Sequence, residues 1–281
     1  MVIDAVRAGK DAYVEKPLTR TVEEGPLVEK AVEESGQIVQ VGYQQRSWDH
    51  FVVAQGLVEA GRLGKISMVL SYWYQAYYRR DRRREFEGKI DWASWLGPAR
   101  PQPESALRYF NWRWFWDFGG GHLTDLYSHW GDVIHWCMGR DSFVSTQASG
   151  ASHAIPEFEC PDTITASWNY GDYTVVYNGS LIGSLEGGGI VFRGSEAMMK
   201  INRSGFAVYP EGVIPAEGTQ YPEPALKMGS PKDGTWDHMQ NFLNSMRARR
   251  PPNCPVKPAV AIARAAHLAN KAWREASHGG A

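Results

Sequence analysis

The 281-residue chain is 43% apolar and 22% charged, which allows one large domain or two unequal ones with a substantial core and excludes a disordered chain. A formal net charge of −1 excludes a general nucleic-acid surface, and the one basic run, "RRDRRRE" from residue 79, carries its own acids and reads as a solvated loop. Cys137, Cys160 and Cys254 are isolated, so reduced structural thiols are expected in place of disulfides or zinc, and the absence of a long apolar run or signal segment predicts a cytoplasmic protein with no membrane partner.

Residues 2–9, "VIDAVRAG", read as the end of a helix closed by Gly9, and the strand "DAYVE" follows at once. Pro17 ends that strand. Thr19 is placed to cap a helix running to about Ser35, with Glu23 and Glu24 in its first turns and Gly36 as the stop. "QIVQVGYQQR" then reads as a second strand. The order is a βαβ crossover, which implies parallel pairing. Two parallel strands cannot cover both their faces, so the unit is expected to belong to something larger.

A helix is predicted over 48–61, and the pattern then turns to strands: 66–76, 143–150, 162–170, 173–181 and, shorter, "GIVFRG", "AMMKI" and "FAVYP". Gly171-Asp172 marks a hairpin. The expectation is an antiparallel meander. A long helix with Pro258 in its first turn closes the chain.

The densest segment is "NWRWFWDFGGGHLTDLYSHWGDVIHWCMGR", residues 111–140. On a helix from about Gly121 to Met138, Leu123, Leu126, Trp130, Ile134 and Cys137 share one face, and His122, Asp125, His129 and Asp132 share another. Asp125 and His129, at i and i+4, suit a carboxylate that orients an imidazole for proton transfer. A plain solvent-facing polar stripe has the same pattern. Residues 119–121 are three glycines that permit close backbone approach, and Trp112, Trp114 and Trp116 either wall a cleft or fill a core. His122, Asp125 and His129 also have metal-ligand chemistry, but no fourth ligand motif accompanies them, so no metal is assigned. His267 reads as a packed or capping residue.

Lys16 lies just past the carboxyl end of a parallel strand, where ligands gather in open α/β sheets, and Pro17 fixes the backbone that carries it. A surface lysine is the plain alternative. A partly desolvated one serves as a proton donor or binds a carbonyl oxygen.

"AGKDAYVEKPLT", "QVGYQQR", "DWASWLGPA", "GGGHLTDLYSHWGDVIHW", "FRGSEAMMKI" and "AAHLANKAWR", in this order, resemble the landmarks of the Gfo/Idh/MocA oxidoreductases, from about residue 5 to 275. The resemblance implies a fold of class α/β (α+β): part of a parallel dinucleotide-binding sheet over residues 1–46, then a substrate-binding and oligomerisation domain over 47–281 with a large, mostly antiparallel open sheet. It implies NAD(P) as cofactor, held in part by Glu15, Lys16 and Pro17, and a sugar-like substrate. Lys16, Asp125 and His129 would be catalytic: Lys16 contacting nicotinamide ribose and substrate, Asp125 positioning the substrate, His129 acting as acid/base. A homodimer or larger is expected. The chain has no Gly-x-Gly-x-x-Gly turn, so the reading is a family member lacking most of its N-terminal dinucleotide domain, with doubtful NAD(P) binding of its own. Two alternatives remain at this point: a nicotinamide-independent, metal-assisted carbohydrate hydrolase or lyase, and a non-catalytic sugar-binding or assembly subunit.

Overall fold

The computed structural model describes residues 1–80, 83–230 and 232–278. It opens with helix α1 (Val2–Arg7), strand β1 (Ala12–Val14), helix α2 (Glu24–Ser35) and strand β2 (Val39–Val41). The two strands pair in parallel, Ala12 opposite Val39 and Val14 opposite Val41. Gly36 ends α2 in the left-handed conformation, φ 64°, which glycine adopts without a Cβ penalty. The start of α2 differs from the sequence expectation. Thr19 is buried and caps nothing: its carbonyl accepts a hydrogen bond from His267 Nε2 at 2.9 Å, and the helix begins five residues later, at Glu24. The second strand is also shorter than expected, because Gln44–Ser47 coil into a 3-10 turn.

Helix α3 (Asp49–Glu59) leads to strand β3 (Ile66–Tyr74), the short helices α4 (Trp92–Leu96) and α5 (Ala106–Phe110), and helix α6 (Ser128–Met138). Asp91 and Ser105 cap the two short helices through their side chains. Strands β4 (Ser145–Ala151), β5 (Thr163–Asn169), β6 (Thr174–Ser180), β7 (Gly188–Gly194), β8 (Ala197–Asn202), β9 (Gly205–Pro210) and β10 (Leu226–Gly229) follow, and helices α7 (Thr235–Ala248) and α8 (Val256–His278) end the chain.

The large sheet has eight strands in the order β10-β9-β8-β7-β3-β6-β5-β4. It is not a plain meander. β3 inserts between β6 and β7, parallel to β6 in an otherwise antiparallel sheet, so two of its pairings cross more than a hundred residues. The fold is therefore a small parallel sheet followed by a large, mostly antiparallel one, as the sequence implied. Alternation along β5 and β6 buries Ile164, Ala166, Trp168, Val175 and Tyr177 against the helical layer and leaves Thr165 and Asn169 on the open side. Tyr127 stacks on Trp168 at 4.2 Å, and the Trp168 indole donates to the Ala265 carbonyl at 3.1 Å, which joins sheet, α6 and α8. Val41, the last residue of β2, and Tyr43 just after it enter the same core.

Before α6 the helix is not regular. Leu123–Tyr127 form a π turn, which gives residues 121–127 a different facial pattern from the straight helix expected there. Among the described residues no helix is long and apolar enough to cross a membrane. The basic run from residue 79 lies partly outside the described residues, at 81 and 82; within them, Arg80 and Arg84 each lie 4.0 Å over an aromatic ring, of Tyr77 and Phe110.

Candidate active site

β1 ends at Val14 and delivers Lys16 toward the π turn. Lys16 Nζ donates to Asp125 twice, to the backbone carbonyl at 2.5 Å and to Oδ1 at 2.8 Å. Arg113 meets the other carboxylate oxygen at 3.2 Å. Asp125 is thus gripped by two cations. The Lys16 side chain is only 10% exposed, and burial lowers its ammonium below the usual lysine pKa against the opposing attraction of Asp125.

Lys16 and Asp125 line a cavity of about 970 Å³, of a size that takes a cofactor or substrate. Glu15 and Pro17 line it too. Trp112 and Trp116 stand in its wall, whereas Trp114 and Trp130 are core residues. Gly119 and Gly120 of the triple glycine line the cavity as well. A Cβ on Gly119 would sit 2.6 Å from the Arg113 carbonyl, and one on Gly121, at φ 61°, would sit 2.7 Å from Cys160 Cβ. The close backbone approach that these glycines allow places residues 112–116 beside Asp125. Asn270 Nδ2 donates to the Gly120 carbonyl at 2.8 Å and fixes the loop to α8.

The four titratable residues of the expected stripe do not share one environment. His122 is fully buried: its Nε2–H donates to the Asp162 carbonyl at 3.2 Å, leaving Nδ1 to accept from the Tyr177 hydroxyl at 3.1 Å. Burial pushes its pKa down to about 4, so it is a neutral structural imidazole. Asp132 is buried against Arg46, with contacts of 2.8–3.1 Å. His129 lies 8% exposed between aromatic rings, stacked on Trp73 at 5.8 Å and edge-on to Tyr43 at 6.4 Å. Its Nδ1 has no hydrogen-bond partner. Burial, reinforced by the charges of Lys16 and Arg203, pushes its pKa well below the usual histidine value. No hydrogen bond joins Asp125 to His129, and His129 does not line the cavity.

His122 is spent on Tyr177 and Asp162, and among the described residues no group of three or more His, Cys, Asp or Glu converges as a metal site. Sequence reasoning missed Arg113 and Arg203. Neither has a helical spacing to Asp125 or His129, since one sits in the tryptophan-rich turn and the other at a hairpin tip.

Residues 92–200 match the family described as the GFO/IDH/MocA C-terminal domain. The scyllo-inositol 2-dehydrogenase (NAD(+)) of Bacillus subtilis (strain 168) is 40% identical over 65 residues, 23% of this chain and 19% of that protein. The scyllo-inositol 2-dehydrogenase (NADP(+)) IolW of the same organism is 29% identical over 234 residues, 82% of this chain and 52% of that protein. The chain thus spans at most about half the length of these relatives. An NAD binding oxidoreductase from Klebsiella pneumoniae superposes with a TM-score of 0.72 at 17% identity, covering 98% of this chain and 75% of that one, a likeness of fold. The small parallel sheet, the large open sheet and the ordered landmark segments extend the likeness beyond residues 92–200, the part of this chain that matches the GFO/IDH/MocA C-terminal domain.

Proposed function

We propose that this chain carries the substrate-handling part of an NAD(P)-dependent dehydrogenase acting on a hydroxyl of a sugar or polyol. The observation that carries the reading is the buried Lys16–Asp125 pair at the carboxyl end of a parallel strand, lining a cavity large enough for such ligands. The residues present fit the reactive end of a nicotinamide cofactor: Glu15, Lys16 and Pro17 lie along the cavity wall, and residues 1–46 form the parallel pair expected beneath it. The chain holds no Gly-x-Gly-x-x-Gly turn for the pyrophosphate. When bound, the nicotinamide supplies the hydride acceptor.

The chain's own groups handle the substrate and its proton. Asp125, between two cations, fixes Lys16 Nζ, and the one remaining ammonium hydrogen binds the substrate oxygen. That oxygen becomes a carbonyl and its proton turns strongly acidic. Burial and the neighbouring cations hold His129 neutral, the state that accepts a proton; because it lies outside the cavity lining, the proton reaches it through an intervening group or water and not directly.

Calorimetric titration of the purified chain with NAD(H) and NADP(H), followed by a turnover screen of sugars and polyols, tests the reading. Weak nicotinamide binding, short of the low micromolar range, is the expected result, with turnover that depends on nicotinamide and is lost in Lys16→Ala, Asp125→Ala and His129→Asn. Adding His129→Asn to Asp125→Ala is expected to cost far less than it does alone, since groups acting as a unit are non-additive. Turnover without nicotinamide, or an active Lys16→Ala protein, overturns it.

A further inference from the structure

Arg113 belongs to a short 3-10 turn, Trp112–Trp114, whose surroundings are fixed. Trp114 is fully buried and its carbonyl accepts the N–H groups of Glu159 and Cys160 at 3.1 and 3.0 Å. Gly119 packs so closely on the Arg113 backbone that a Cβ there would meet the Arg113 carbonyl at 2.6 Å. The turn is rooted. The guanidinium lies 4.4 Å over the Trp112 ring, and its Nε meets Asp125 Oδ2 at 3.2 Å. Among the described residues its two terminal amino groups, Nη1 and Nη2, have no hydrogen-bond or ion-pair partner. The side chain is 39% exposed, against 10% for Lys16 and 15% for Asp125, and it lines the same cavity as they do.

A planar fork anchored by one nitrogen, stacked on an indole and open at its other two nitrogens is a preorganised pair of donors. Its acceptors must come from within the cavity. Charge decides which acceptors suit it: Lys16 and Arg113 stand against Asp125 and against Glu15, which lines the cavity beside Lys16, so the group carries no surplus charge to draw in an anion. Neutral oxygens are what remain. Lys16 keeps one ammonium hydrogen for a substrate oxygen, and a single carboxylate touches both cations, so one sugar molecule reaches both. The parallel N–H groups of a guanidinium fit two adjacent oxygens, which on a sugar are vicinal hydroxyls.

We infer that Arg113 is a specificity-determining residue that binds two vicinal hydroxyls of the substrate with its terminal amino groups, while Lys16 holds a third oxygen of the same molecule. The inference rests on the sugar-dehydrogenase reading and sharpens it. Calorimetric titration with D-glucose and its 2-, 3-, 4- and 6-deoxy forms tests it. In the unaltered chain at least one deoxy sugar is expected to bind about tenfold or more weakly than glucose, since a site built to hydrogen-bond a hydroxyl rejects the analogue that lacks it. In Arg113→Gln, glucose is expected to fall to about that level with the same deoxy sugar within about twofold of it, because the two changes remove one shared contact. Arg113→Lys, a single point donor, is expected to recover only part of the glucose binding.

A residue that only braces Asp125 behaves otherwise: Arg113→Gln then weakens every sugar by the same factor and the deoxy penalty persists, which overturns the inference and leaves the sugar site standing. Deoxy sugars that all bind within about twofold of glucose overturn it as well, and that outcome needs only the unaltered chain, should Arg113→Gln fail to fold. Glucuronate bound about tenfold more tightly than glucose overturns it in favour of an anion site. Binding of none of these sugars removes the dehydrogenase reading together with the inference.

Discussion

Arg46 and Asp132, 86 residues apart, meet as a fork on a carboxylate: Nε lies 2.8 Å from one oxygen and Nη2 2.9 Å from the other. Both are almost fully buried. Burial opposes the charge on Arg46, but the charge and hydrogen bonds of Asp132 outweigh it, so Arg46 stays protonated. Asp132→Asn leaves a buried guanidinium without its counter-ion and is expected to cost about 3–5 kcal/mol in urea unfolding. Arg46→Leu combined with Asp132→Leu is expected to cost much less than the two changes separately. Additive losses in that double-mutant cycle contradict the pairing.

A second expectation concerns acid. His50, His122, His129, His135, His238 and His267 all have pKa values lowered first by burial, with His122 and His135 brought to about 4. Below about pH 6.5 the unfolded chain takes up protons that the folded imidazoles refuse, so stability is full above that pH and falls as the pH drops toward 4. His122 and His135 are each expected to cost on the order of 2 kcal/mol by pH 5. Urea midpoints measured from pH 7.5 to 5 check this, and a flat profile contradicts it.

Assembly is the third. The open side of the eight-stranded sheet shows a broad face of Thr, Ser and Asn with Met68 39% exposed, and Leu226 on the edge strand is 42% exposed. Edges and faces of this kind seek partners. A homodimer or larger is expected by light scattering at tens of micromolar, and a strict monomer there contradicts it.

The elements that the sequence made legible are those with local signals. The period-2 runs of β5 and β6 with Gly171 between them, and Gly36 after α2, state their own structure. β3 pairing with β6 is a choice between distant segments, and nothing in "ISMVLSYWY" says which strand it will join. β10 is a four-residue, largely exposed edge strand, too short to announce itself. Thr19 has the chemistry of a cap, but His267, 248 residues on, takes its carbonyl. In the site, Lys16 and Asp125 stand out because each follows a local motif, the strand-Pro boundary and the triple glycine. Arg113 became part of it only when the π turn moved Asp125 into its reach, and Arg203 only when the sheet brought a hairpin tip to Trp73.

The pairs Lys16–Asp125 and Arg46–Asp132 share a geometry: one cation follows each strand of the small parallel sheet, and both acids come from the π turn and the helix that continues it. Mechanically they are two rivets through one joint. Swinging the sheet away from the helix shears both, and each buried charge stripped of its mate costs about 3–5 kcal/mol, far above thermal energy. The joint is therefore a fixed bracket, and the cavity that Lys16 and Asp125 line keeps that wall in place whether or not a ligand is bound.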